Sequence, residues 1–243
     1  MQPIVMIAFD EYTDIHIEQE ILDRIGARIE HTKTILSPEA KALARKADAI
    51  AFTTDPFPRE LIETFDRCKV LSRFGTGLDN VDIRAATEQG IWVTNVPDAF
   101  VEEVSTHAIA LLLGLNRHLF PLIEKSHLGK WETKERKIYR LKGQTLGLLG
   151  FGLIGKETAK KGKALGLEVI AYDPYAEEEI FSSLEVRRVD FDELLSLSDY
   201  LSLHAPATEE TKHILNEDTF KLMKPTSYLI NTSRGALVDE GAL

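Results

Sequence analysis

Apolar residues along this chain fall into short runs, separated by stretches with helical spacing. Ile4–Phe9, Ala27–His31, Ala49–Thr53, Lys69–Arg73 and Ile91–Thr94 read as strands. Between them, Ile17–Arg24, Pro58–Phe65 and Val81–Gln89 read as helices, the last closed by Gly90. This α/β alternation predicts a small parallel sheet. A longer helical pattern runs from Val101 to about Lys125 and is very apolar between Ala108 and Leu115. A helix of that character is buried nearly all round, so it lies between domains or in an oligomer interface. His107 and His118 on it read as core or surface imidazoles rather than ligands.

The second half repeats the alternation around one distinctive unit. A strand, Thr145–Leu149, runs into Gly150-Phe-Gly-Leu-Ile-Gly155. A helix, Lys156–Leu165, and a strand, Glu168–Tyr172, follow, and the strand ends in Asp173. A lone G-x-G-x-x-G carries little information. Set between strand and helix, with an acid about 18 residues further on, it describes a dinucleotide-binding turn. The first glycine permits the tight turn, the second lets a pyrophosphate approach the backbone, and the third lets helix and strand pack closely. The helix N-terminus offers N–H groups and a positive dipole end to phosphates. Asp173 can accept hydrogen bonds from a ribose diol and repels a 2′-phosphate, which favours NAD over NADP. Beyond it, Glu185–Val189, Tyr200–His204 and Ser227–Asn231 read as strands, and Phe191–Leu197 (capped around Asp190) and Asn216–Met223 as helices.

Composition narrows the class. With 243 residues the chain forms one large domain or two modest ones. A formal net charge of −10 with no basic block argues against a nucleic-acid surface. Cys68 is alone, which suits a reducing, cytoplasmic setting, and one Cys with seven scattered His gives no zinc spacing. No signal peptide and no membrane span is read from the sequence.

Several stretches taken together resemble the D-isomer-specific 2-hydroxyacid dehydrogenases. They are Arg73–Asp82, Gly90–Pro97, Gly143–Gly155, Ala171–Pro174, Leu203–Pro206 and Asn231–Asp239. The nearest flavour is the 3-phosphoglycerate dehydrogenase branch, and Glu102–Leu112 is also similar to the C-terminal-binding-protein corepressors. The resemblance implies two parallel-sheet domains: a flavodoxin-like substrate domain over residues 1–98, and a Rossmann NAD-binding domain over 99–243 that begins with the interdomain helix. It implies a homodimer acting on a small 2-hydroxy or 2-keto acid, with no nucleic acid or membrane partner. A non-catalytic, NAD-sensing protein of the corepressor type is the alternative.

By the same resemblance, Arg234 is the cation that holds the substrate carboxylate and polarises the carbonyl. Gly75, Thr76 and Gly77 offer backbone N–H groups to that carboxylate. The cofactor lies along Thr76, Gly150, Gly152, Leu153, Ile154, Gly155, Asp173, Ala205, Pro206, Thr211, Thr232, Ser233 and Arg234. His204 is expected to be structural rather than the acid/base. The family's Glu and catalytic His are expected beyond Leu243, which makes this chain a C-terminally truncated dehydrogenase that binds NAD and turns over slowly.

Overall fold

Each half of the chain closes its own parallel sheet. The computed structural model describes residues 2–10, 14–131 and 138–243, in two compact units, Met1–Ala99 and Phe100–Leu243. The first unit runs β1 (Ile4–Ala8), α1 (His16–Asp23), β2 (Arg28–Thr32), α2 (Pro38–Ala44), β3 (Ala49–Phe52), α3 (Arg59–Ile62), β4 (Val70–Arg73), α4 (Ile83–Glu88) and β5 (Trp92–Thr94). Its strands are all parallel, in the order β2-β1-β3-β4-β5. That is the flavodoxin-like order. Met6, Ile50, Phe52, Phe57, Ile62 and Leu71 form the core on one side of this sheet, and Ile7, Phe9 and Ala51 cluster on the other.

The second unit runs α5 (Val101–Asn116), α6 (Leu119–His127), β6 (Thr145–Leu149), α7 (Leu153–Ala164), β7 (Glu168–Tyr172), α8 (Glu178–Ser183), β8 (Arg187–Arg188), α9 (Phe191–Leu197), β9 (Tyr200–Leu203), α10 (Glu217–Phe220) and β10 (Tyr228–Asn231). A 3₁₀ turn follows at Gly235–Leu237. The parallel order β10-β9-β6-β7-β8 is the Rossmann arrangement. Apolar clusters cover both faces of this sheet. One is built on Leu146, Leu148, Phe151 and Tyr200, the other on Leu149, Leu194, Leu201 and Leu203.

Four local expectations change. The long helix is two helices, because His118 takes a left-handed conformation (φ 54°) and ends the run. The Phe120 ring then packs where a Cβ on Gly114 would lie, 2.9 Å from that position. Nor is α5 buried all round. Ser105, Ala108, Ile109, Leu112, Gly114 and Asn116 face the core, while Glu102, Glu103, Thr106, His107 and Ala110 are exposed. The apolar stretch hides this division, because Leu111, Leu113 and Leu115 are half-buried against the core while the exposed charges, Glu102 and Glu103, fall in the first turn.

α7 starts at Leu153, not Lys156, with Gly152 as its N-cap. Leu153, Ile154 and Gly155 therefore form its first turn. Helices α2 and α8 are additions to the sequence reading. In α2, Ser37 accepts a hydrogen bond from the Ala40 N–H (3.1 Å) and Pro38 occupies the first turn. That combination is a recognised start signal in a segment too short to show a full helical period. No described helix is long and apolar enough to cross a membrane. No group of three or more His, Cys, Asp or Glu among the described residues could hold a metal ion.

Candidate active site

In the second unit the chain leaves β6 towards β7 and β8, then returns to place β9 on the other side of β6. The crevice at such a switch point, outside the strands' carboxyl ends, is where open α/β sheets bind ligands. Its two walls are the turn after β6 and His204-Ala205-Pro206 after β9. They touch closely. The His204 N–H donates to the Leu149 carbonyl at 2.7 Å. Gly150 has φ +95°, and a Cβ there would lie 2.7 Å from Ala205 N and from His204 C. A Cβ on Gly155 would lie 2.3 Å from the Gly150 carbonyl oxygen, so the first turn of α7 packs directly on the turn before it. Gly152 differs from both: a Cβ there meets no atom within 4 Å. Two glycines are filled in by the fold and the third faces open space, at a helix N-terminus whose first N–H groups lack intrahelical partners. This cradle fits a pyrophosphate.

Asp173 stands at the end of β7, next to this turn. Its Oδ2 accepts the Phe151 N–H at 2.8 Å and its Oδ1 accepts the Tyr175 N–H at 2.9 Å. Sequence reasoning missed this bracing role. A carboxylate has about four lone-pair sites, so both oxygens keep acceptor capacity for a diol. The Tyr175 hydroxyl donates to Glu210 at 2.6 Å, joining the loop after β7 to the loop after β9. Thr211 closes that second loop on itself, with its hydroxyl donating to the Pro206 carbonyl at 2.6 Å and accepting the Thr208 N–H at 2.8 Å. Ala205 is buried and Pro206 exposed.

His204 is packed behind the glycine turn, its Nε2 3.0 Å from the Ser202 hydroxyl. Burial pulls its pKa down to about 4, so the ring is neutral near pH 7.

At the end of β10, Asn231 shapes the next loop. Its Oδ1 accepts the Ser233 N–H (3.0 Å), and its Nδ2 donates to the Arg234 carbonyl (2.8 Å). The Ser233 hydroxyl donates to the Leu203 carbonyl at 2.6 Å, fixing this loop to β9. Arg234 is part-buried, and its Nη1 donates to the Ser233 carbonyl at 2.9 Å. The Thr232 hydroxyl is buried with no hydrogen-bond partner among the described residues. It borders a cleft of about 460 Å³ lined also by Glu103, Val104, His107, Leu111 and Asn231. The sequence offers no sign that α5 residues border this strand end.

Gly75, Thr76 and Gly77 follow β4 in the first unit. Their carbonyls are all engaged within that unit: Gly75 accepts the Val96 N–H (3.2 Å), Thr76 accepts Asn95 Nδ2 (2.6 Å), and Gly77 accepts Arg73 Nη1. Arg73 also donates through Nε to the Thr53 carbonyl at 2.8 Å. A Cβ on Gly75 would lie 3.1 Å from Arg73 Cζ, so that guanidinium backs the turn. Successive N–H groups in such a turn suit an anion.

Among proteins of known type, the family model "D-isomer specific 2-hydroxyacid dehydrogenase, NAD binding domain" matches residues 109–243. A glyoxylate reductase of Thermococcus litoralis is 42% identical over 211 residues, covering 82% of this chain and 62% of that protein. A hydroxypyruvate reductase of Thermotoga maritima is 39% identical over 234 residues, covering 96% of this chain and 74% of that protein. The crystal structure of a D-lactate dehydrogenase from Aquifex aeolicus, complexed with NAD and lactic acid, superposes with a TM-score of 0.89 at 32% identity, over 98% of this chain and 71% of that one. The chain thus spans only part of these proteins, from 62% to 74% of their length, and less than two thirds of the glyoxylate reductase.

Proposed function

The chain belongs to the D-isomer specific 2-hydroxyacid dehydrogenase family, and from that premise we propose that it is part of an oxidoreductase working between NAD(H) and a D-2-hydroxy acid or its 2-keto acid. The observation that carries the proposal is the glycine cradle, closed at Gly150 and Gly155 and open at Gly152. Bound there, NAD(H) supplies the hydride acceptor or donor for the substrate's C2. The N-terminus of α7 receives the pyrophosphate. Asp173 accepts from the adenosine ribose and, through Phe151, keeps the turn in shape. Ala205, Pro206 and Thr211 form the opposite wall, and Thr232, Ser233 and Arg234 line the nicotinamide end.

Arg234 anchors the substrate carboxylate and stabilises charge that develops on the carbonyl oxygen. In the first unit, the successive N–H groups of Gly75, Thr76 and Gly77 suit a substrate carboxylate. His204 is not offered as the acid/base, since its ring is buried, neutral and engaged by Ser202. The relatives' names point to small 2-keto acids such as glyoxylate and hydroxypyruvate. 3-Phosphoglycerate belongs in the same test panel, given the resemblance to that branch. Those names also favour an enzyme over the non-catalytic alternative. We place the protein in the cytoplasm as a homodimer, with a second copy covering Leu119, Phe120, Ile123, Leu128 and Trp131, which are exposed on and after α6.

Calorimetric titration tests the reading. NAD should bind the 243-residue chain, and more tightly than NADP. Equal affinity for the two, or no binding of either, refutes it.

A further inference from the structure

The geometry points to Arg188 as a second determinant of dinucleotide choice: a cation seated at the rim of the adenosine end of the site and overruled there by the carboxylate of Asp173. The inference rests on the NAD reading above and adds to it a residue on the neighbouring strand. β8 lies beside β7 with Arg188 in register with Ala171, so the parallel strands deliver Arg188 and Asp173 to the same edge of the sheet. The guanidinium is held in place. Its Cζ lies 5.2 Å from the centroid of the Phe181 ring, its Nη2 donates to the Asp173 carbonyl at 3.3 Å, and its Nη1 pairs with Glu178 at 3.3 Å. Phe181 stacks on Phe151 (4.7 Å, 21°), whose N–H donates to the Asp173 carboxylate. Arg188, Phe181, Phe151 and Asp173 therefore form a closed ring of contacts around the end of β7.

Two opposite preferences meet in that ring. A carboxylate here selects a free 2′-hydroxyl, whereas an arginine nearby accommodates a 2′-phosphate. The Arg188 side chain is 37% exposed and its partner Glu178 is 64% exposed. An ion pair so open to water is weak and is readily exchanged for a phosphate, which takes a guanidinium in a bidentate grip. Asp173 prevails because it stands directly beside the glycine turn, with Arg188 one strand further out. Removing the Asp173 charge leaves a site already supplied with the cation that NADP needs.

The test uses Asp173→Asn, which keeps an acceptor for the Phe151 N–H while removing the charge. Calorimetry on the 243-residue chain should show NADP affinity rising at least about tenfold over the parent. Asp173→Asn/Arg188→Gln should lose that gain in NADP affinity. Arg188→Gln alone should weaken the parent's residual NADP binding more than its NAD binding. A gain that persists in the double variant, or no gain in Asp173→Asn, overturns the role of Arg188. The thermal midpoint checks folding, and Asp173→Ser serves if the Asn variant melts early. Failure of the parent to bind NAD would instead refute the function proposed above.

Discussion

Replacing Gly152 by alanine should separate cofactor binding from folding. Its backbone sits at φ −73° and ψ −159°, an extended conformation open to alanine, and its Cβ would meet nothing within 4 Å. Alanine is a poorer N-cap than glycine, but it restricts the unfolded chain, an effect of about 0.4–1 kcal/mol in the stabilising direction. These offset, so stability should change by less than about 1 kcal/mol and the thermal midpoint by less than about 4 °C. The methyl group would, however, occupy the space through which a pyrophosphate reaches the N–H groups of α7. An overpacked contact costs about 1–3 kcal/mol, so the Kd for NAD should rise roughly 5- to 150-fold. Gly155→Ala is the contrast. Its Cβ falls 2.3 Å from the Gly150 carbonyl oxygen, so stability and binding should be lost together. Differential scanning fluorimetry with calorimetric titration of NAD reads both quantities. If Gly152→Ala binds NAD like the parent, the cradle has been misplaced; if it unfolds, the open space has been misread.

Three further outcomes are expected. In NAD-linked reduction of glyoxylate or hydroxypyruvate by the active enzyme, Arg234→Gln should raise KM and lower kcat, removing about 1.5–3 kcal/mol of charge-assisted interaction, while NAD affinity stays within about twofold; a large loss of NAD affinity with KM intact would overturn the assignment. Sedimentation at micromolar concentration should show twice the chain mass, and a clean monomer would contradict the role given to the exposed residues after α5. Burial holds His204 at a pKa of about 4 against about 6.5 in an unfolded chain, so between those values the unfolded state binds more protons and stability falls as the pH drops. The loss should approach about 3 kcal/mol near pH 4, and urea midpoints for His204→Gln should lack that part of the slope; an unchanged slope would refute it.

The parts of the fold legible in the sequence are those with strong, redundant signals. β6 and β7 begin and end where their apolar runs do, at Thr145–Leu149 and Glu168–Tyr172, because each run is buried between two layers and bounded by turn residues. The break near His118 did leave a mark, Pro121, which a helix interior does not tolerate and which falls in the first turn of α6. α2 and α8 are too short for periodicity to reveal. Around the site, residue types announced the glycine turn and the acid after β7. They could not announce that Asp173 braces the turn through Phe151, that Thr211 spends its hydroxyl on its own loop, or that α5 brings Glu103 and His107 beside Thr232. Each of those depends on which strand ends are neighbours, and that follows from sheet order rather than from spacing along the chain.

The hydrogen bond from Tyr175 to Glu210 has a kinetic consequence. It ties the loop after β7 to the loop after β9, the two loops that flank the glycine turn. The bond to Glu210 raises the phenol's pKa above its ordinary value. Both side chains lie at the surface, where water competes for the same partners, and the link opens and re-forms far faster than a dinucleotide dissociates. A ligand that needs these loops apart binds only in the fraction of time they are unlinked. For such a ligand, a surface pair far from the glycine cradle in sequence, Tyr175 and Glu210, becomes a term in the rate of entry.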